Sequence, residues 1–97
     1  MSAAKLGRDQ IDLALKELDQ WTLNSENRLE REYKFNSFKE AFSFMTRVAF
    51  EAESLDHHPD WSNSYNRVRI ELTTHDAGGI TQKDLELARR IEAINWR

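Results

Sequence analysis

Apolar positions first recur along the chain with a helical period. Ile11, Ala14, Leu15 and Leu18 stand at i, i+3, i+4 and i+7, one stripe of a helix that Asp9 can cap. Trp21-Thr22-Leu23 alternates as a short strand, and Asn24-Ser25-Glu26-Asn27 is a cluster of turn formers. Beyond it Leu29, Tyr33 and Phe35 are apolar, while Arg28, Glu30, Glu32 and Lys34 between them are charged. That pattern predicts a strand with one wet face, and the two strands together predict a hairpin. Ser37-Phe38-Lys39-Glu40 reads as a capping box, with Ser37 as cap and Glu40 reaching back. The helix it opens is expected to run to about Leu55, where the histidines and Pro59 end it.

The second half repeats the theme. Asp60 to Tyr65 is a strand of weak pattern. Arg67 to Thr73 alternates, with Val68, Ile70 and Leu72 inward and Arg67, Arg69 and Glu71 outward. Thr74 to Gly79 is a loop. Thr81-Gln82-Lys83-Asp84 has the form of a second capping box, and Ile80, Leu87, Ala88, Ile91 and Ile94 form one face of a last helix. The order is α-β-β-α-β-β-α with no β-α-β regularity. The expected architecture is α+β, a two-layer sandwich of a four-stranded antiparallel sheet with three helices on one face and charges on the other.

Composition narrows the possibilities. The 97 residues form one domain, 1–97, and 39% are hydrophobic, with three Trp, two Tyr and five Phe. A chain this aromatic folds despite a mean hydropathy of -0.77. A domain of this size leaves much apolar surface uncovered, so self-association is a reasonable expectation. The absence of cysteine excludes a disulfide scaffold, thiolate nucleophiles and cysteine zinc fingers. The longest mainly apolar stretch, Ala41 to Ala52, is broken by Ser43, Thr46, Arg47 and Glu51, so no membrane span is expected. Met1 to Gly7 lacks the apolar core of a secretory signal. Net charge is -3, and no long basic run attracts nucleic acid or anionic lipid. The outer sheet face mixes both signs without interleaved aromatics, so it is expected to meet solvent rather than RNA or DNA.

Candidate chemistry gathers at Glu53-Ser54-Leu55-Asp56-His57-His58-Pro59-Asp60-Trp61, with a third histidine, His75, in the later loop. Histidine exchanges protons near neutrality. Three around one cavity could serve acid–base chemistry or hold a metal; a His pair before Pro could equally be helix punctuation favoured by the helix dipole. The spacing is not a specific zinc pattern, and H-E-x-x-H, G-x-S-x-G and phosphate-cradling glycine loops are absent. On a helical wheel Phe38, Ala41, Phe42, Phe44, Met45, Val48, Ala49, Ala52 and Leu55 share one arc, expected to cover the sheet. Lys39, Ser43, Thr46 and Phe50 fall on the far side, where Phe50 is either a lone exposed ring or part of a helix–helix contact.

The run E-x-x-x-H-H-P-x-W at Glu53 to Trp61 resembles the signature of the pterin-4a-carbinolamine dehydratases, whose animal members are also known as dimerization cofactors of hepatocyte nuclear factor 1. Tyr65, T-H-D-A-G-G at Thr74 to Gly79, and Asp84 fall at the family's spacing, and Phe42 to Ala49 resembles its upstream helix. The resemblance runs from about Asp9 to Ile94 and implies the same α+β sandwich. It implies dehydration of 4a-hydroxytetrahydrobiopterin to quinonoid dihydrobiopterin, without a cofactor or metal, in tetrahydrobiopterin recycling. By the same resemblance His57 and His75 are the acids and His58 holds the pterin. The backbone from Thr74 through His75 and Asp76 to Ala77 would bond the pterin edge, and Glu53, Pro59 and Trp61 would line or support the pocket. Asp84 is either a carboxylate that orients a histidine or simply the capping-box acid. Ala77 stands where relatives often carry Cys. The resemblance also implies homodimers pairing into homotetramers through helices, with Lys39, Ser43, Thr46 and Phe50 at the contact. That contact can be exchanged for the dimerization domain of hepatocyte nuclear factor 1, making a transcriptional coactivator found in cytoplasm and nucleus.

Overall fold

The computed structural model describes residues 4–95. The elements are α1 (Arg8–Leu15), β1 (Thr22–Leu23), β2 (Leu29–Lys34), α2 (Phe38–Leu55), β3 (Asp60–Ser64), β4 (Arg67–Leu72), a 3-10 turn (His75–Ala77) and α3 (Gln82–Glu92). All strand pairings are antiparallel, in the order β1-β2-β4-β3. The central pair runs in register from Leu29 opposite Leu72 to Lys34 opposite Arg67. This register puts Leu29, Tyr33, Val68, Ile70 and Leu72 on the buried face. Phe44 of α2 seats its ring between Tyr33 and Phe35, with centroids 4.6 and 5.0 Å away. The α+β sandwich expected from the periodicity is the architecture found.

Several local expectations are corrected. Gly7, not Asp9, precedes α1 as its N-cap; its N–H is met by the Gln10 side chain at 3.0 Å, and Asp9 sits in the first turn. That helix stops at Leu15, so Leu18 is buried from the following turn rather than from the helix stripe. At α2, Ser37 Oγ accepts the Glu40 N–H at 3.2 Å, but Glu40 reaches back one residue further than a capping box requires, to the Asn36 N–H at 2.8 Å. The buried stripe of α2 is also narrower than the wheel suggested. Ala41, Phe44, Val48 and Ala52 are buried, whereas Phe38 and Phe42 are 46% and 57% exposed and Ala49 is exposed. One helix on a sheet buries a strip about one side chain wide to either side of its contact line, so residues at the arc's edge stay in solvent.

Arg31 departs from the apolar alternation of β2. It points inward, lays its guanidinium 3.9 Å from the Tyr33 ring centre and bonds to Glu92 at the end of α3. Glu92 Oε1 also accepts from Tyr33 Oη and, at 2.7 Å, from Trp21 Nε1. Burial works against the Glu92 carboxylate, but the bonds from Tyr33, Arg31 and Trp21 outweigh it and hold its pKa below the ordinary value. Burial first, and then the bond to Glu92, pushes the Tyr33 phenol up.

Candidate active site

The site forms where α2 ends, and the ending has a definite geometry. Asp56 takes the left-handed conformation with φ 50° and ψ 45°. Its N–H bonds Glu53 O at 3.1 Å, and the His57 N–H bonds Ala52 O at 3.0 Å. These bonds close the last carbonyls of the helix and swing the chain toward the start of α3. Asp tolerates this conformation better than most residues. Across the cleft Thr74 pairs with Gly79, and the Thr74 carbonyl accepts the N–H groups of Ala77, Gly78 and Gly79. Gly78, at φ 74°, supplies the turn a side chain would strain.

The three histidines are brought together, each with its own carboxylate. His57 Nε2 lies 2.5 Å from Asp84 Oδ1. His58 Nε2 lies 2.6 Å from Glu53 Oε1, one turn back along α2. His75 Nε2 is 3.6 Å from Asp60 Oδ2, an ion-pair distance when the ring is protonated. The environments form a gradient: the His57 side chain is 11% exposed, His58 56% and His75 70%. Asp84 is wholly buried. Its Oδ2 accepts from Thr74 Oγ1 at 2.8 Å and from the Thr81 N–H at 2.9 Å, so it both completes the capping box of α3 and orients His57.

These groups surround an open cleft of about 340 Å³. His57, His58, Thr74, His75 and Asp76 line it, as the sequence suggested. Glu53 and Asp84 stand behind their histidines instead of in the wall. Trp61 is in β3, half-buried against the core, and Pro59 and Ala77 also lie outside the wall. Thr74 faces inward with its hydroxyl, while its backbone N–H and carbonyl are taken by the loop itself. Thr73 and Lys83 of the wall were not singled out from the sequence, and Asp56 of the wall and Asp60 beside His75 were given no role although both stand in the Glu53–Trp61 run. Lys83 is adjacent to Asp84 in a capping box, which was the available signal. Among the described residues no three His, Cys, Asp or Glu side chains converge as a metal site.

The outer face of α2 is a separate feature. Lys39, Ser43, Thr46 and Phe50 are exposed, Phe50 to 71%. Phe38 and Phe42, exposed at the edge of the neighbouring arc, have their rings 5.8 Å apart. Among the described residues no helix is long and apolar enough to cross a membrane.

An open polar cleft with three histidines, each within reach of a carboxylate, has groups suited to moving protons. The comparisons specify the family. The family model described as pterin 4 alpha carbinolamine dehydratase matches residues 4–94. A relative bearing that dehydratase name in Opitutus terrae is 54% identical over 94% of each chain, and one in Solibacter usitatus is 52% identical over 93% of this chain and 94% of its own. The crystal structure of a transcriptional coactivator/pterin dehydratase from Brucella melitensis superposes with a TM-score of 0.88 at 41% identity, covering 92% of this chain and 96% of that one. A pterin dehydratase-like RuBisCO assembly factor of the alpha-carboxysome shares the fold, with a TM-score of 0.65 at 21% identity over 76% of this chain and 87% of its own. The chain belongs to the pterin-4a-carbinolamine dehydratase family, and its enzyme class is that of a hydro-lyase.

Proposed function

We propose that the chain dehydrates 4a-hydroxytetrahydrobiopterin to quinonoid dihydrobiopterin and so serves tetrahydrobiopterin recycling. The observation that carries this reading is the convergence of His57, His58 and His75 on one cleft of about 340 Å³. Hydroxide is a poor leaving group, so a general acid must protonate it as the C–O bond breaks, while a proton leaves a ring nitrogen. His57, at the helix end, and His75, on the 3-10 turn, both line the cleft, and each serves hydroxyl departure from one pterin face. His58, held by Glu53, fixes the pterin between them. No hydride or acyl group moves, so the reaction asks for no nucleotide and no nucleophile.

The test is a dehydration assay on the purified chain. His58→Ala is expected to abolish nearly all turnover with the fold intact by circular dichroism, and His57→Ala and His75→Ala to lose it in part. Undiminished turnover in His58→Ala would remove the assignment.

A second role rests on the exposed aromatics of α2. Phe50 lies with Lys39, Ser43 and Thr46 on the face that the family resemblance implies for the tetramer and partner contact, and Phe38 and Phe42 are exposed at the edge of the neighbouring arc. Together with the coactivator name of the Brucella melitensis protein, they support assembly of dimers into tetramers through α2. The same face would bind the dimerization domain of hepatocyte nuclear factor 1, which calls for presence in nucleus as well as cytoplasm. If purified chain binds that domain but shows no turnover, the coactivator reading stands alone.

A further inference from the structure

The hydrogen bonds behind His57 have a single consistent direction. Thr74 Oγ1 donates its one proton to Asp84 Oδ2 at 2.8 Å. In the 2.8 Å contact between the Thr74 and Thr81 hydroxyls, Thr81 is therefore the donor. Thr81 Oγ1 in turn accepts the Lys83 N–H at 3.2 Å, and the Thr81 N–H donates to Asp84 Oδ2 at 2.9 Å. Every donor in the chain points toward Asp84. A carboxylate only accepts, so Asp84 Oδ1 at 2.5 Å requires a hydrogen on His57 Nε2. In the neutral ring that leaves Nδ1 without a proton.

From this geometry we infer that Thr81 is a positioning residue for the dehydration. Its hydroxyl, wholly buried and outside the cleft wall, acts through Thr74 and Asp84 to hold His57 with its Nε2–H on Asp84, so that Nδ1 is the nitrogen that takes up a proton and then delivers it to the departing hydroxyl. The catalytic consequence rests on the dehydratase reading; the tautomer rests on the hydrogen bonds alone. Without the Thr81 donor, Thr74 Oγ1 is free to rotate, Asp84 loses its fixed set of donors, and the ring of His57 is no longer confined to one orientation. A helix cap alone would have none of these effects. Capping needs the Thr81 side chain only as an acceptor for the Lys83 N–H, and its loss lowers stability without touching a tautomer.

The experiment compares wild type, Thr81→Ser and Thr81→Val by imidazole nitrogen NMR on labelled histidine and by steady-state kinetics. Wild type is expected to show neutral His57 protonated at Nε2. Thr81→Ser keeps acceptor and donor and should match wild type in both readouts. Thr81→Val should show a mixture of His57 tautomers and a severalfold lower kcat, no lower than that of His57→Ala, with KM little changed. A wild-type His57 protonated at Nδ1 overturns the inference, even if Thr81→Val fails to fold. So does a folded Thr81→Val with wild-type tautomer and kcat, which would leave Thr81 a cap and nothing more. A tautomer shift in Thr81→Val, with no turnover in any of the three proteins, would uphold the positioning and refute the dehydratase reading instead.

Discussion

Glu92→Gln separates the stability of this fold from its chemistry. Glu92 Oε1 accepts from Trp21, Arg31 and Tyr33, and the substitution keeps an oxygen there while removing its charge. A hydrogen bond to a charged group contributes about 1.5–3 kcal/mol and a neutral one about 0.5–1.5. Three such changes are not additive when they share one oxygen, and the Glu92 side chain is 31% exposed, which weakens each. The expected loss is therefore about 2 kcal/mol, a fall in Tm of roughly 10 °C for a domain of this length. Because the folded-state pKa is held below its ordinary value, the carboxylate's contribution is complete above about pH 4.5 and disappears as pH falls through the folded-state value. Urea denaturation at pH 7 and at pH 3, at one fixed protein concentration, should show a gap between wild type and Glu92→Gln that narrows in acid. Turnover per folded molecule should not change, since Glu92 lies eight residues along α3 from Asp84, about 12 Å. A gap under about 0.5 kcal/mol at pH 7, or one equal at both pH values, would refute the assignment of Glu92 as a charged hub.

Two other outcomes are expected. Phe50→Asp should shift tetramers to dimers in sedimentation and weaken partner binding while retaining much of the dehydratase activity, because a charge buried without a partner in a helix contact costs several kcal/mol and Phe50 lies outside the cleft; an unchanged tetramer would show the interface to lie elsewhere. Turnover should survive exhaustive chelation, with far less than one metal per chain by elemental analysis; loss of activity restored by an added ion would show that the histidines work through a metal.

What the sequence by itself determined was whatever depends on near neighbours. Alternation placed β2 and β4 on the correct face, since a strand's side chains alternate strictly. Pro59 and the capping serine at Ser37 bounded α2 at both ends. The E-x-x-x-H-H-P run exposed the first two histidines because one helix turn and its C-cap hold Glu53, His57 and His58 together. Arg31, an inward charge in an apolar alternation, had no local reason; its reason is Glu92, 61 residues away across the helix layer. The tertiary structure alone decided which edge of the α2 arc stays in solvent, because the width of a buried strip is set by the sheet beneath it. It alone seated Asp84 behind His57, two residues that are 27 apart in sequence and 2.5 Å apart in space. Asp60 reaches His75 in the same way, through the pairing of β3 on β4. Capping and periodicity are encoded within a turn or two of chain, whereas the partner of a buried charge is fixed by how sheet and helices pack.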